Sequence, residues 1–283
     1  MNRRHIFAAT AAGTALIAAA NAAKAQSAPS PAGGSTLDQI RKSGVVRMSA
    51  IIGQEPYFNQ DLISRTWSGA CIEMGNNIAK LLNAKPQWVE CTWGNSVMSL
   101  ESNKIDLAFA MNPTPARALA VAFTDPIFKQ NFCIILRKGY TGPASKWSDL
   151  DKPGVKVSVG IGSTMDIAAQ HYLSNAHIMG FTDTNEAVMA AATGRSDCTI
   201  ETMVLALTAV KKNPQLGTLV VPQPELSLPV SMAVRYEPDE RFRDFLSVWA
   251  DYNRSIGQTR AWMLDGFKAL GITAKDIPAS VTF

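Results

Sequence analysis

Long apolar runs are missing from this chain beyond its first 25 residues. A membrane-spanning helix needs roughly 20 consecutive apolar residues, and no later stretch approaches that length. An excess of charge of one sign is missing too, because 27 Lys and Arg residues stand against 23 Asp and Glu residues. Nucleic-acid-binding proteins usually show a clustered basic face, which this balance does not favour. We therefore predict neither a membrane span in the mature protein nor a nucleic-acid partner.

Histidine and cysteine are scarce, and their spacing argues against a metal site. His171 and His177 lie six positions apart, so they do not share a helical face. The four cysteines form no CxxC pair, and buried free thiols suit their apolar surroundings at least as well as disulfides. They are Cys71, Cys91, Cys133 and Cys198. No nucleophile elbow, P-loop or dinucleotide fingerprint occurs, so no cofactor and no catalytic residue are predicted.

The first 25 residues have the features of a cleaved export signal. A basic start with Arg3 and Arg4 precedes an apolar stretch over 6–20, and small residues surround Lys24. The apolar stretch is short for a bilayer-spanning helix, which argues against a retained anchor. The paired arginines resemble a twin-arginine signal, so the general secretory (Sec) route and the twin-arginine route both stay open. We predict cleavage after residue 25 and a flexible leader, rich in small residues, over 26–36.

Strand and helix patterns alternate through two stretches of the remaining chain. The first extends over 45–136 and the second over 156–221, with a glycine- and proline-containing break over 139–143. Two amphipathic helices, over 239–256 and 259–270, end the sequence. Because such alternation builds mostly parallel sheets covered by helices, the pattern predicts an α/β protein with two sheet-bearing units.

Arg117 is a candidate ligand-binding residue because it follows a strand. Ligands of open parallel sheets bind beyond the carboxyl ends of the strands. After the predicted strand that ends at Ala110, Thr114 can cap a helix that Pro115 opens, which puts Arg117 in the first turn. A cation there opposes the helix dipole, and its planar fork suits a carboxylate. A surface salt bridge is the alternative that spacing alone leaves open.

Four other residues occupy comparable positions. Ser163 and Thr164 follow a strand and open a helix, so hydroxyls and free amides converge there on a place suited to an anion. An ordinary helix cap is the alternative for both. Trp93 comes just after the strand predicted over 86–91, where it can face a cleft or pack in the core. Tyr57 is a weaker candidate for the opposite wall.

The stretch over 103–126 resembles the signature of family 3 extracellular solute-binding proteins. The matching residues are Ile105-Asp106, Thr114, Arg117 and Phe123-Thr124-Asp125-Pro126. The resemblance extends over nearly all of the chain from Leu37 onward. It implies an α/β, two-lobed periplasmic binding protein-like fold of type II, in which each lobe is a mixed, mostly parallel sheet flanked by helices. Lobe 1 would comprise 37–137 plus 230–283, lobe 2 would comprise 138–229, and the chain would cross between them twice.

The resemblance also implies roles for the first-lobe candidates. Arg117 matches the arginine that grips the ligand's α-carboxylate in the family, and Asn112 and Thr114 match positions that contribute hydrogen bonds. Ser163 and Thr164 match a second-lobe segment that donates to the same carboxylate. The carboxylate would then be held from both lobes.

Two more residues concern the rest of the ligand. Trp93 matches a position that often holds an aromatic ring stacked on the ligand's side chain. Where the family usually has an aspartate for the ligand's α-ammonium, this chain has Thr202, with Glu201 beside it. Threonine does not neutralise an ammonium group. Either Glu201 binds it, or the ligand lacks it, and both alternatives stay open.

The function that the resemblance implies is solute capture without catalysis. We predict a monomeric periplasmic protein that binds a small carboxylate, an amino acid or a related organic acid, and delivers it to the membrane permease of an ABC importer. Two alternatives remain. Cyclohexadienyl dehydratases share this fold, and Glu201 would then be the acid catalyst. A protein that docks on a periplasmic partner is the other.

Overall fold

The computed structural model describes residues 34–283. The predicted export signal at 1–25 and most of the predicted leader at 26–36 lie outside these residues. The end of that leader is described, and Thr36 is buried and begins a helix. The helix starts there because the Ser35 side chain accepts a hydrogen bond from the amide of Asp38.

Helices and strands alternate through most of the described chain. The helices are α1 Thr36–Ser43, α2 Ala70–Leu81, α3 Ser96–Glu101, α4 Pro115–Ala118, α5 Trp147–Leu150, α6 Thr164–Tyr172, α7 Thr184–Ala192, α8 Met203–Lys212, α9 Arg241–Ser255 and α10 Gln258–Lys268. The strands are β1 Val45–Ala50, β2 Asn59–Gln60, β3 Trp67–Ser68, β4 Lys85–Glu90, β5 Ala108–Met111, β6 Val121–Phe123, β7 Phe128–Arg137, β8 Lys156–Gly160, β9 His177–Phe181, β10 Cys198–Thr202, β11 Leu216–Val220 and β12 Ser227–Arg235. None of the described helices is long and apolar enough to cross a membrane.

The first lobe is built on β1, β4, β5, β6 and β12. β1 pairs in parallel with β4 and meets the start of β5 through a parallel bridge between Met48 and Leu107. β12 runs antiparallel to both β5 and β6. α2 contacts β1 and β4, and its buried face carries Cys71, Met74 and Ile78, whose three- and four-residue spacing puts them on one side of the helix.

A buried carboxylate connects the strands of the first lobe. The Asp106 side chain is 3% exposed and forms ion pairs with Arg47, at 2.5 Å, and with Arg235, at 3.5 Å. It also accepts hydrogen bonds from the backbone amide of Arg47 at 2.9 Å and from its Nε at 3.1 Å. Because Arg47 lies on β1 and Arg235 on β12, one carboxylate joins both strands to the chain that enters β5.

The second lobe is built on β7, β8, β9, β10 and β11. β8 is parallel to β9 and β10, and β7 is antiparallel to β10 and β11. α6, α7 and α8 pack against this sheet. The sequence pattern did not indicate β9, because this edge strand is only partly buried along its length and so lacks a continuous apolar run.

β7 and β12 are shared by the two lobes. Residues 128–131 of β7 pair with β12, while residues 132–136 pair with β10 of the second lobe. The amide of Phe132 donates to the carbonyl of Leu226 at 2.8 Å. This pairing favours a first crossing near Asn131, before the predicted boundary at 137. The sequence showed a break only at Gly139, because a strand that changes partners in mid-course carries no local signal.

Candidate ligand-binding cleft

A cavity lies between the lobes, at the carboxyl ends of the strands. Its volume is about 310 Å³. Its walls are formed by Tyr57, Trp93, Ala110, Asn112, Arg117, Gln130, Ser163, Thr164, Met165, Thr202 and Leu205. These include every predicted site residue except Thr114 and Glu201. The predicted residues of both lobes therefore meet at one place.

Local structure directs Arg117 into this cavity. β5 ends at Met111, and the Thr114 hydroxyl caps α4 by accepting from the amide of Arg117 at 3.2 Å. Pro115 takes the first helical position, where it needs no amide donor. The predicted cap is therefore confirmed. Thr114 is the N-cap of α4 and does not itself line the cavity.

The Arg117 guanidinium is a buried cation without an acidic partner in the described part of the chain. Nη1 donates to the carbonyl of Asn112 at 3.2 Å, and Nη2 donates to the carbonyl of Gly162 at 3.0 Å. None of the ion pairs found among residues 34–283 involves Arg117. Burial lowers its pKa to about 10, because the charged form loses hydration. A guanidinium has five donors, so several remain for an anionic ligand.

The start of α6 forms the wall opposite Arg117. The Ser163 hydroxyl caps the helix, since it donates to the carbonyl of Gly160 at 2.6 Å and accepts from the amide of Asp166 at 3.2 Å. The Thr164 hydroxyl donates to Asn112 Oδ1 at 2.8 Å, across the cleft. The first amides of a helix have no acceptor within the helix, so those of Thr164 and Met165 are available at the wall. They suit a carboxylate.

Backbones from the two lobes touch beside the cavity. A Cβ added to Gly94 would lie 2.8 Å from the carbonyl oxygen of Ile161, and one added to Gly162 would lie 2.9 Å from Cα of Gly94. Gly162 also has a φ of +72°, which favours glycine. The Arg117–Gly162 and Thr164–Asn112 hydrogen bonds span the same gap. The structure therefore shows the cleft closed.

The close contact at Gly94 predicts a variant that opposes closure. Gly94→Ala should weaken ligand binding about tenfold, because the methyl group clashes with the Ile161 carbonyl only when the lobes meet. The unliganded protein should keep its melting temperature, since the open form has room for the methyl group. Isothermal titration and thermal unfolding measure the two effects. Gly154→Ala is the matched control, because nothing lies within 4 Å of a Cβ at that position. Unchanged affinity of Gly94→Ala would contradict this closed geometry.

Aromatic side chains form the inner wall and are held by hydrogen bonds. Trp93 Nε1 donates to Gln54 Oε1 at 2.9 Å, and the Tyr57 hydroxyl donates to Gln130 Oε1 at 3.2 Å. Tyr57 also packs against Phe128, with ring centroids 5.9 Å apart. Sequence reasoning missed Gln130, which lies between Lys129 and Asn131 in the polar start of β7 and carries no distinguishing local signal. Both aromatic residues therefore belong to the core and to the cavity wall.

Glu201 and Thr202 lie at the end of β10 but face different cavities. Thr202 lines the cavity that contains Arg117, whereas Glu201 lines a neighbouring one with Asn185 and Lys212. Successive side chains of a strand point to opposite faces, which accounts for the separation. Neither Thr202 Oγ1 nor Glu201 Oε2 has a hydrogen-bond partner among the described residues. Burial raises the pKa of Glu201 from 4.5 to about 8.

The raised pKa of Glu201 predicts a pH-dependent stability. Between pH 4.5 and about 8 the folded protein retains a proton on Glu201 that the unfolded chain has lost. The free energy of unfolding should therefore fall as the pH rises through this range, by at most about 1.4 kcal/mol per pH unit. Glu201→Gln should remove this fall and be more stable than the original protein near pH 8. Urea unfolding of the unliganded protein across the range measures it.

A matched control separates this effect from general titration. Glu101 lies exposed at the end of α3, so Glu101→Gln should leave the pH profile of stability unchanged. If Glu201→Gln and the original protein show parallel profiles between pH 5 and about 8, the assignment to the Glu201 carboxyl is wrong.

Metal-binding groups do not gather in the described chain. No three His, Cys, Asp or Glu side chains within residues 34–283 could together hold a metal ion. All four cysteines are buried and free. The sequence left both free thiols and disulfides open for these cysteines, and the structure shows free thiols.

The two lobes, the shared strands and the cleft between them define a type II periplasmic binding protein-like fold, whose members close around a ligand. The model of the bacterial extracellular solute-binding proteins, family 3, matches residues 51–221. This chain belongs to that family. The resemblance and the fold class predicted from the sequence are both confirmed.

Relatives include binding proteins and an enzyme. A cyclohexadienyl dehydratase from Pseudomonas aeruginosa is 24% identical over 230 residues, which cover 81% of this chain and 85% of that protein. A "Probable amino-acid ABC transporter periplasmic-binding protein" from Sinorhizobium fredii is 25% identical over 187 residues, covering 64% and 61%. Among solved structures, an ancestral amino acid-binding protein, a precursor of cyclohexadienyl dehydratase, is 26% identical with a TM-score of 0.72. That match covers 81% of this chain and 100% of the other.

Proposed function

We propose that this protein is a periplasmic solute-binding protein that captures a small carboxylate-bearing ligand for an ABC importer. The ligand is an amino acid or a related organic acid, and the protein acts as a monomer without catalysis. The observation that carries the proposal is Arg117, a buried cation in the cleft with no acidic partner among the described residues. Family membership and the Sinorhizobium fredii relative support the transport role.

Closure of the cleft couples the two lobes to the ligand's charge. Arg117 lies on the first lobe, and the amides of Thr164 and Met165 lie on the second. Without an anion, closure buries a cation whose neutralisation is incomplete, which is unfavourable. A carboxylate accepts charge-assisted hydrogen bonds from Arg117 and from the start of α6 together. Ligand binding therefore shifts the population toward the closed form, because only that form completes the site.

Export would place the protein where such ligands arrive. In this proposal the signal at 1–25 is removed after the chain crosses the inner membrane, by the Sec or the twin-arginine route. Membership of an extracellular solute-binding family supports export. The mature protein then delivers its ligand to a membrane permease.

A thermal-shift experiment on the mature protein tests the proposal. Amino acids, dicarboxylates and small aromatic acids are added one at a time, and the solute is recovered and analysed afterwards. A ligand at about 100 times its Kd should raise Tm by roughly 5–10 °C, saturably, and come back unchanged. If no carboxylate raises Tm, the binding proposal is wrong, and docking on a periplasmic partner becomes the better account.

A dehydratase-like activity is the second candidate. It is favoured by the Pseudomonas aeruginosa relative and by Glu201, whose pKa of about 8 leaves it protonated at neutral pH. A protonated carboxyl is what a general acid needs. Against it, Glu201 faces a different cavity from Arg117. Incubation of the protein with prephenate or arogenate distinguishes the two candidate functions. Consumption of either compound by the original protein, but not by Glu201→Gln, would establish the enzymatic function.

A further inference from the structure

The cavity that contains Arg117 has one cation and no anion. Among the described residues that line it, Arg117 is the only charged one, and no Asp, Glu or Lys takes part. Nearby acidic residues are used elsewhere. Glu55 forms an ion pair with Lys212 at 2.8 Å, and Asp166 accepts from the amide of Gly162 at 2.9 Å. A ligand's positive group would therefore find no carboxylate in this cavity.

Glu201 does not fill that gap. It lies on β10 directly before Thr202, so the alternation of a strand turns its side chain away from the cavity that Thr202 lines. The Glu201 carboxyl lines the neighbouring cavity with Asn185 and Lys212 instead. At this point β10 is paired with β7, where Glu201 lies opposite Cys133 and Thr202 opposite Phe132, and this pairing sets the directions of the two side chains.

The uncommitted polar groups of the cavity are mainly donors. Gln130 Oε1 already accepts from Tyr57, which leaves the Gln130 amide nitrogen free to donate. Asn112 has one partner at each end of its side-chain amide, because its Nδ2 donates to the carbonyl of Pro229 and its Oδ1 accepts from Thr164. The Thr202 hydroxyl is buried and has no partner in the described chain. Together with Arg117, these groups fit oxygen atoms on a ligand and leave an ammonium group without an acceptor of opposite charge.

We propose that the ligand is a small monocarboxylate that carries a hydroxyl or oxo oxygen where an amino acid carries its ammonium group. An ammonium ion in this closed cavity would lose its hydration without gaining a carboxylate partner, which is strongly unfavourable. A ligand with a second carboxylate would find no second cation among the described residues that line the cavity. The inference deepens the proposed function and rests on it.

Matched ligands test the inference at pH 7. L-Lactate, pyruvate and L-alanine form one set, and L-phenyllactate, phenylpyruvate and L-phenylalanine form another with a larger side chain. Isothermal titration should show that the hydroxy or oxo acid of at least one set binds about 100-fold more tightly than its amino acid. L-Malate, which adds a carboxylate to the lactate framework, should bind about tenfold more weakly than L-lactate.

The outcomes separate this inference from the proposed function. If an amino acid binds as tightly as its hydroxy and oxo counterparts, the inference is overturned while the proposed function stands. If L-malate binds as tightly as L-lactate, the restriction to monocarboxylates is wrong. If no member of either set binds but another amino acid or a dicarboxylate raises Tm in the thermal-shift screen, the inference is overturned and the proposed function stands. If no carboxylate raises Tm, both fail.

A variant of Thr202 provides a second test. Thr202→Asp puts a carboxylate into the cavity wall, so the amino acids should gain about tenfold in affinity and the hydroxy acids should lose as much. Thr202→Asn has a similar shape without the charge, and it should change both affinities by the same factor. Equal effects of Asp and Asn on the ratio of the two affinities would overturn the inference.

Discussion

Arg117→Ala should abolish the ligand-induced rise in Tm and weaken binding about 100-fold or more. The guanidinium supplies the only positive charge among the described residues that line the cavity, and a carboxylate buried there without it would be uncompensated. Isothermal titration measures the loss of affinity.

The unliganded Arg117→Ala protein should remain folded with a similar stability. The pKa of Arg117 is lowered to about 10, so burial of the charged form works against the closed structure. The variant loses two hydrogen bonds, to the carbonyls of Asn112 and Gly162, and the second joins the lobes only when they are closed. Urea unfolding without ligand measures this stability.

Two control variants define what Arg117 contributes. Arg117→Lys keeps the charge without the planar fork, so it should retain part of the affinity. Arg260→Ala removes an exposed arginine on α10 and should bind ligand like the original protein. Full affinity of Arg117→Ala would remove the anchor on which the proposed function depends.

Asp106→Ala should lower the free energy of unfolding by about 3–5 kcal/mol. Asp106 is almost fully buried and neutralises both Arg47 and Arg235, of which Arg235 has a side chain only 14% exposed. Removal of the carboxylate leaves two cations without their partner and the amide of Arg47 without its acceptor. Urea unfolding of the unliganded protein measures the loss.

A surface ion pair provides the control for Asp106. Asp244 pairs with Arg243 on α9, and its side chain is 60% exposed. Asp244→Ala should therefore change the free energy of unfolding by less than about 1 kcal/mol. If Asp106→Ala costs no more than Asp244→Ala, the buried pair does not stabilise the first lobe as its geometry indicates.

Local pattern predicted most of the secondary structure. The two amphipathic helices predicted over 239–256 and 259–270 correspond to α9 and α10, and Thr114 caps α4 as its spacing indicated. These succeed because a cap or an amphipathic period depends on residues within one or two turns. β9 and the change of partner within β7 were not predictable in this way, because neighbouring strands decide them.

The candidate site likewise contains residues that the sequence could indicate and a residue that it could not. Arg117, Ser163 and Thr164 could be found from the sequence, because each follows a strand and opens a helix. Gln130 could not be found so, because nothing near it in the chain shows that β7 passes the cavity.

By itself, the sequence determined that this is an α/β protein of alternating strands and helices, with an arginine and a hydroxyl-bearing turn placed after strands. Family membership was visible in the same residues. Only the tertiary structure decided that Arg117 has no acidic partner among the described residues and that Thr202, not Glu201, faces it. The reason is that burial, and the face of a strand that meets a cavity, depend on contacts between residues far apart in the chain.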